Sequence, residues 1–176
     1  MFFEPMAAPL LSYPNPVNEV AARVVAGGVV LLGIAAILFQ QPWLTVVLAA
    51  GFLLRVLTGP RFDPLALLAA KAIVPRLPFG PKPVPGPPKR FAQAIGLVFS
   101  LTAAVLSLGF GLDAAASVVT GALVVAAGLE SFAGICLGCQ GFALLIRAGV
   151  IPEEVCEACN DIWAGRRSPA PAPPQP

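Results

Sequence analysis

Charged side chains are absent from several long stretches of this chain. The stretches lie between Arg23 and Arg55, between Arg90 and Asp113, between Asp113 and Glu130, and between Glu130 and Arg147. Overall, 57% of the residues are hydrophobic and only 11% are charged. Soluble domains carry about 25% charged residues, and their helices need a polar stripe that faces water. The stretches therefore predict an all-α integral membrane protein rather than a soluble bundle.

The stretch between Arg23 and Arg55 is too long for one membrane crossing. As a helix it would extend about 46 Å at 1.5 Å per residue, whereas the hydrocarbon core of a bilayer is about 30 Å thick. A turn is predicted at Gln40–Trp43, because proline interrupts a helix and tryptophan favours the membrane interface. The sequence thus predicts a bundle of four transmembrane helices, at about 19–39, 43–57, 91–110 and 114–135.

Residues 1–167 are predicted to form a single helical membrane domain. In its central loop, Asp63 can cap a helix that has Pro64 at the first position, and the apolar residues that follow predict an interfacial or re-entrant helix. The proline-rich segment 78–90 then predicts an extended strap or linker. Residues 168–176 have the composition of a disordered tail rich in proline and alanine.

The basic residues predict the orientation of the chain. With four spans, all eleven Lys and Arg residues lie on one side, and none lies in the two turns on the other side. Basic residues are retained in the cytoplasm, so both termini of this multi-pass protein are expected on the cytoplasmic side of the inner (plasma) membrane. The basic residues flank the spans as anchors to the lipid bilayer, and no nucleic-acid partner is predicted.

The cysteines form two Cys-x-x-Cys pairs in segment 136–163, which is predicted to be a short, cytoplasmic, partly helical segment. The four residues are Cys136, Cys139, Cys156 and Cys159. Their spacing lies in the range of four-cysteine zinc sites. Because the chain has no histidine, a tetrahedral site would use sulfur or carboxylate ligands, which suit zinc or an iron-sulfur cluster.

Dithiol chemistry is a second interpretation of the same pairs. In a Cys-x-x-Cys pair one thiol attacks and its neighbour resolves the mixed disulfide. Acidic residues surround Cys156 and Cys159 and oppose thiolate formation there, so Cys136 and Cys139 are the predicted reactive pair and the other two the exchanging pair. Ordinary disulfides or inert thiols are the third interpretation, which a reducing cytoplasm disfavours.

Glu130 lies within the fourth predicted span. A carboxylate at that depth is expected to face the bundle and to be paired or protonated. Arg23 and Arg55 lie at comparable depth at the cytoplasmic ends of the first two spans, so the sequence predicts an intramembrane ion pair between Glu130 and one of them. A structural role in helix packing is favoured over a role in moving protons or substrate.

Several motifs resemble a family of bacterial integral-membrane proteins catalogued as domain of unknown function 4395. They are NPVNEVAARVVAG, LLRVLTGPRFDPLA, PKPVPGPPKRFAQAIGLVFS, LESFAGICLGC and IPEEVCEACNDIW, between Asn15 and Trp163. The resemblance implies a small helical membrane protein with both cysteine pairs. It also implies a genetic association with thioredoxin-like proteins and rhodanese-type sulfurtransferases.

The first hypothesis is therefore a membrane protein whose cytoplasmic cysteine centre exchanges disulfides or sulfane sulfur with such a soluble partner. A membrane scaffold with a structural zinc site is the alternative. A small-solute channel or transporter is weaker, since few polar residues are available to line it: Thr45, Gln93, Ser100, Thr102, Ser107, Ser117, Thr120, Glu130 and Ser131. Zinc is the candidate cofactor, none is established by the sequence, and the sequence leaves open whether the protein is an enzyme.

Overall fold

The protein is described by a computed structural model, which covers residues 13, 15–78, 80 and 82–152. It contains six α-helices within these residues. They are α1 (Glu19–Leu38), α2 (Trp43–Thr58), α3 (Pro64–Leu68), α4 (Gly86–Ala104), α5 (Asp113–Gly128) and α6 (Leu137–Arg147). The predictions for Cys156, Cys159 and the tail 168–176 lie outside the described residues.

Among the described residues, four helical segments are long and apolar enough to cross a membrane. They are Glu19–Leu38, Trp43–Arg61, Gly86–Gly109 and Asp113–Ala133. Beyond α2 the second segment continues as a 3₁₀ turn, and the third and fourth continue beyond α4 and α5 as π-helical turns. The predicted fold class, an all-α bundle with four such helices, is confirmed.

The four long helices pack as an antiparallel bundle, with α2 and α5 both against α4, and α1 against α2 and α5. The largest core cluster consists of apolar side chains from α1, α2 and α5, including Val29, Leu48 and Leu123, with Leu97 and Phe99 of α4 packed against it. Large apolar side chains point outward, among them Val118 and Phe132, which are 74% and 80% exposed. An apolar exterior of this kind suits lipid rather than water.

The starts of α1 and α4 lie at the same end of the bundle as the ends of α2 and α5. Arg90 Nε, at the start of α4, donates a hydrogen bond to the backbone oxygen of Val56 near the end of α2, at 3.0 Å. We call this the basic end, since the two loops at the other end, 39–42 and 110–112, contain no Lys or Arg.

The first residues of the long helices explain where these helices begin. Asn18 caps α1, and its side-chain oxygen accepts a hydrogen bond from the Val20 N–H at 3.0 Å. Helix α4 begins at Gly86, before the predicted start of the third span at 91. Pro87 and Pro88 lie in its first turn, where the missing N–H groups would have no helical partner.

The central loop forms the predicted helix. Asp63 caps α3, and its Oδ2 accepts a hydrogen bond from the Ala66 N–H at 2.8 Å. The helix continues as a π-helical turn, Ala69–Ile73, and a 3₁₀ turn, Val74–Arg76. Ala66 and Ala69 are buried against Val25 of α1, so the segment is packed onto the bundle.

The proline-rich strap pairs with the residues that precede α1. Strand β1 (Val17–Asn18) pairs antiparallel with β2 (Pro83–Val84). The Asn15 side chain accepts a hydrogen bond from the Gly86 N–H at 3.0 Å, and the Lys82 ammonium lies 2.7 Å from the Glu19 carboxylate. The strap is thereby tied across the starts of α1 and α4.

Candidate functional site

The first cysteine pair follows a tight turn at the basic end. Helix α5 continues as the π-helical turn Leu129–Ala133 and ends at Gly134, which has a φ of 70°. Arg23 of α1 binds the last carbonyl groups of this helix: its Nε lies 3.1 Å from the Ser131 oxygen and its Nη2 2.9 Å from the Phe132 oxygen. A cation at a helix C-terminus stabilises the partial negative charge there.

Cys136 is the N-cap residue of α6. Its backbone is extended, and its Sγ accepts a hydrogen bond from the Cys139 N–H at 3.3 Å. The two cysteines are joined by a disulfide, with their Cα atoms 5.2 Å apart, and both are half-buried. The pair therefore lies at a helix N-terminus, which stabilises negative charge on a sulfur atom.

Helix α6 holds the pair against the start of α4. A Cβ atom on Gly138 would lie 2.6 Å from both Cα and Cβ of Ala92, so only glycine permits this approach. One turn further along α6, the rings of Phe91 and Phe142 pack with their centroids 5.5 Å apart. The position of the disulfide is therefore fixed by contacts between α4 and α6.

Glu130 has a partner that differs from the predicted ones. Its Oε1 lies 2.5 Å from the Lys89 ammonium, and the two side chains are 14% and 8% exposed. The prediction that Arg23 or Arg55 pairs with Glu130 is wrong. Arg23 is engaged by carbonyl oxygens at the end of the α5 segment, and Lys89 reaches the carboxylate because α4 begins before the predicted span.

Arg55 pairs with Asp63 instead. Its Nε lies 3.8 Å from Asp63 Oδ2, and both side chains are buried, at 6% and 3% exposed. The same Nε donates a hydrogen bond to the Gly51 oxygen at 3.1 Å, and the guanidinium lies 4.4 Å from the centre of the Phe52 ring. Its Nη1 has no hydrogen-bond partner within the described part of the chain.

A cavity of about 270 Å³ opens beside the disulfide. It lies between α1, α2, α4, α5 and the start of α6, and most of its lining is apolar. Its polar lining residues include Arg55, Gln93, Glu130 and Cys136. Gln93 Oε1 is buried and, like Arg55 Nη1, lacks a partner among the described residues. The lining of the cavity thus includes a buried cationic residue and one of the two cysteines.

Tyr13 lies beside the same helices, outside the long apolar segments. It lines a groove with Arg90, Phe91 and Phe142. Burial raises the pKa of Tyr13 to about 12, although the positive charges of Arg55 and Arg90 act to lower it. The phenol is therefore neutral near physiological pH.

The predicted second pair, Cys156 and Cys159, is outside the described residues, so whether the four cysteines meet stays untested. Within residues 13, 15–78, 80 and 82–152, no group of three or more Cys, His, Asp or Glu side chains is placed to hold a metal ion. Sequence reasoning missed Lys89 and Asp63 as ion-pair partners. The available signal was their position beside predicted spans at the basic end.

A comparison with protein families matches residues 17–147 to the family described as Domain of unknown function (DUF4395). The chain belongs to this family. The match covers all of the long apolar helices, the central loop and the Cys136–Cys139 pair. No curated protein and no solved structure matches the chain.

Proposed function

We propose that this DUF4395 protein is an integral-membrane thiol-disulfide exchange protein whose reactive centre is Cys136–Cys139. The observation that carries the proposal is the position of Cys136: its sulfur caps α6 and lies within bonding distance of Cys139. Such a site can cycle between a disulfide and a dithiol without rearranging the helix. Cys136 is the attacking thiol, because its thiolate would accept a hydrogen bond from the Cys139 N–H and would be stabilised by the positive end of the helix dipole.

The proposed location is the cytoplasmic face of the inner membrane. No Lys or Arg lies in loops 39–42 and 110–112 at the far end of the bundle, opposite the basic end. The cysteine pair lies at the basic end. Retention of basic residues in the cytoplasm then gives the orientation. The soluble partner would be a thioredoxin-like protein, or a rhodanese-type sulfurtransferase if the thiol carries sulfane sulfur.

Exchange can be tested on detergent-purified protein in which Cys156 and Cys159 are replaced by serine. Reduced thioredoxin serves as the probe, and maleimide-polyethylene glycol labelling counts the free thiols. We expect reduced thioredoxin to open the Cys136–Cys139 disulfide. An unchanged disulfide in protein that unfolds cooperatively would overturn the proposal.

The attacking residue can be identified with two matched variants in the same background. Cys139→Ser leaves Cys136 without its resolving partner, so Cys136 should displace thionitrobenzoate from a single-cysteine thioredoxin that carries this group as a mixed disulfide, and the resulting protein–thioredoxin disulfide should accumulate because no second thiol can resolve it. Cys136→Ser should accumulate much less, because Cys139 lacks the N-cap position. Equal amounts of mixed disulfide would contradict the assignment of Cys136 as the nucleophile.

A zinc scaffold held by four cysteines is the alternative, and it requires Cys156 and Cys159. Metal analysis of the full-length, reduced protein separates the two functions. About one zinc per chain, with all four thiols protected from alkylation until a chelator is added, would support the scaffold. Metal-free protein with an exchanging disulfide would support the proposed redox function.

A further inference from the structure

The cavity beside Cys136 has features that are not needed for disulfide exchange with a soluble protein. Most of its lining is apolar, including Val25, Phe52 and Phe99, yet Arg55 also lines it. Only 6% of this side chain is exposed, so its guanidinium has little access to water. An occupant of the cavity that brings a hydrogen-bond acceptor to Arg55 would therefore be stabilised.

The lining specifies the chemistry of the occupant. A lipid acyl chain fits the apolar walls but offers nothing to Arg55 or Gln93. A strongly hydrated solute could pair with both but would be desolvated against apolar walls. An apolar ring that carries carbonyl oxygen atoms satisfies both requirements, since such an oxygen can accept a hydrogen bond from the Arg55 guanidinium or from the Gln93 amide nitrogen.

The size and position of the cavity agree with such a ring. An engineered cavity of about 150 Å³ takes up benzene, so about 270 Å³ accommodates a six-membered ring with several substituents. The cavity lies between helices that are long and apolar enough to span a membrane. A ligand that reaches it from the bilayer must itself dissolve in lipid.

We propose that this cavity binds the ring of a lipid-soluble quinone, which accepts electrons from the reduced Cys136–Cys139 pair. This inference rests on the proposed redox function and names the acceptor for the same site. Oxidation of the two thiols forms the S–S bond and releases two electrons and two protons. The quinone takes up both electrons and both protons and becomes the hydroquinone, so the step is balanced.

Reaction with the soluble partner completes a cycle. The partner's dithiol reduces the Cys136–Cys139 disulfide and is itself oxidised, and the quinone then reoxidises the membrane pair. Electrons thus pass from cytoplasmic thiols to the membrane. Cys136 serves both steps, because its residue lines the cavity and caps the exposed start of α6.

The test uses duroquinone, a benzoquinone that is methylated at every ring position and therefore resists addition of thiols. Protein with serine at 156 and 159 is reduced, freed of reductant and mixed with duroquinone without oxygen. We expect about one quinone to be reduced per cysteine pair while the disulfide forms. Quinone absorbance measures the reduction, and thiol labelling measures the loss of free thiols. No reduction of duroquinone, or reduction at the same rate by Cys136→Ser protein, would overturn the quinone inference.

Two variants on α4 test the cavity itself. Gln93→Leu removes a polar lining group and should slow reduction at low duroquinone concentration about tenfold, the effect of about 1.4 kcal/mol in binding. Thr102→Val is the matched control, because Thr102 is exposed on the same helix and does not line the cavity. An equal rate in Gln93→Leu protein, with unfolding like that of the control, would contradict binding in this cavity.

Exchange with reduced thioredoxin is measured on the same preparation, which has serine at 156 and 159 and no substitution on α4. If thioredoxin opens the disulfide but duroquinone does not reoxidise the pair, the quinone inference fails and the proposed function stands. If thioredoxin does not open it, the proposed function fails whatever the quinone does. Occupation of the cavity by a lipid acyl chain would give the first of these results.

Discussion

At the scale of single residues, the ion pair between Lys89 and Glu130 is the contact that fixes the carboxylate beside the disulfide. Both side chains are mostly buried, so removing one charge leaves the other without compensation. Breaking a pair of this kind typically costs at least about 3 kcal/mol. The neighbouring pair, Lys82 and Glu19, involves a lysine side chain that is 67% exposed, and exposed pairs contribute little.

We therefore expect Lys89→Ala to lower the free energy of unfolding by about 3 kcal/mol and Lys82→Ala by at most about 1 kcal/mol. The free energies can be obtained from unfolding by sodium dodecyl sulfate in mild-detergent micelles. The double variant Lys89→Met, Glu130→Gln should regain most of the loss, because it leaves no unpaired charge. Equal effects of the two single lysine variants would show that the buried pair is not stabilising.

Tyr13 provides a direct test of packing at the basic end. Burial raises its pKa from 10.0 to about 12, and it is the chain's single tyrosine, so tyrosinate absorbance during a pH titration reports on this residue alone. The neutral phenol is favoured in the folded protein. The neutral phenol therefore contributes fully to the free energy of unfolding below pH 10, and this contribution is lost as the pH rises to about 12.

We expect the phenol of the folded protein to titrate near 12 and that of the denatured protein near 10. The matched measurement in denaturant serves as the control, because unfolding removes the burial that causes the shift. A folded-state midpoint at the denatured value would mean that Tyr13 is exposed to solvent.

Residue pairing is also where sequence reasoning was weakest. The sequence predicts a partner for Glu130, but it does not distinguish Lys89 from the other basic residues that flank the spans as anchors. Which basic residue reaches Glu130 depends on where α4 begins and on how α4 is rotated against α5. The apolar run that marks a span determines neither the start of its helix nor this rotation. The same holds for Gln93, whose position on the cavity wall follows from the rotation of α4.

At the scale of elements, the close approach of α6 to α4 positions the cysteine pair. Gly138 makes this contact possible, since an added Cβ would lie 2.6 Å from Ala92 atoms, including the backbone Cα. A methyl group there must push the start of α6 away from α4. Gly141, three residues later on α6, has no atom within 4 Å of an added Cβ.

We expect Gly138→Ala to lower the unfolding temperature and to slow the exchange of Cys136–Cys139 with reduced thioredoxin. Gly141→Ala should leave the exchange rate unchanged and stabilise α6 by up to about 1 kcal/mol, because alanine favours a helix more than glycine does. The contrast between the two variants separates displacement of α6 from a general effect of alanine. Equal exchange rates would show that the contact with α4 does not position the pair.

Element boundaries were predictable where a residue acts locally. Asp63 caps the central helix as the Asp-Pro pattern predicted. The pairing of the strap with β1 was not predictable, because two-residue strands leave no periodic pattern. Contacts between segments so distant in sequence depend on how the whole bundle closes.

At the scale of the whole molecule, the charge-free runs were sufficient to predict the all-α bundle and its four long apolar helices. This succeeded because the run between Arg23 and Arg55, divided at Gln40–Trp43, and the two runs on either side of Asp113 give segments close to the length that a bilayer requires. The orientation is a separate inference from the distribution of basic residues. It determines which cellular compartment supplies thiols to Cys136–Cys139, so the proposed redox cycle depends on it.

Orientation can be measured with single cysteines in a variant that lacks the native four. Gln41→Cys and Gly111→Cys place a thiol in the far-end loops, and protein that retains only Cys136 places one at the basic end. If the basic end is cytoplasmic, a membrane-impermeant maleimide added to intact spheroplasts should label the far-end cysteines and leave Cys136 unlabelled until the cells are opened. Labelling of Cys136 before lysis, with protected far-end cysteines, would reverse the topology. Electrons would then enter the quinone from thiols outside the cytoplasm, which would require an extracytoplasmic partner instead of a cytoplasmic one.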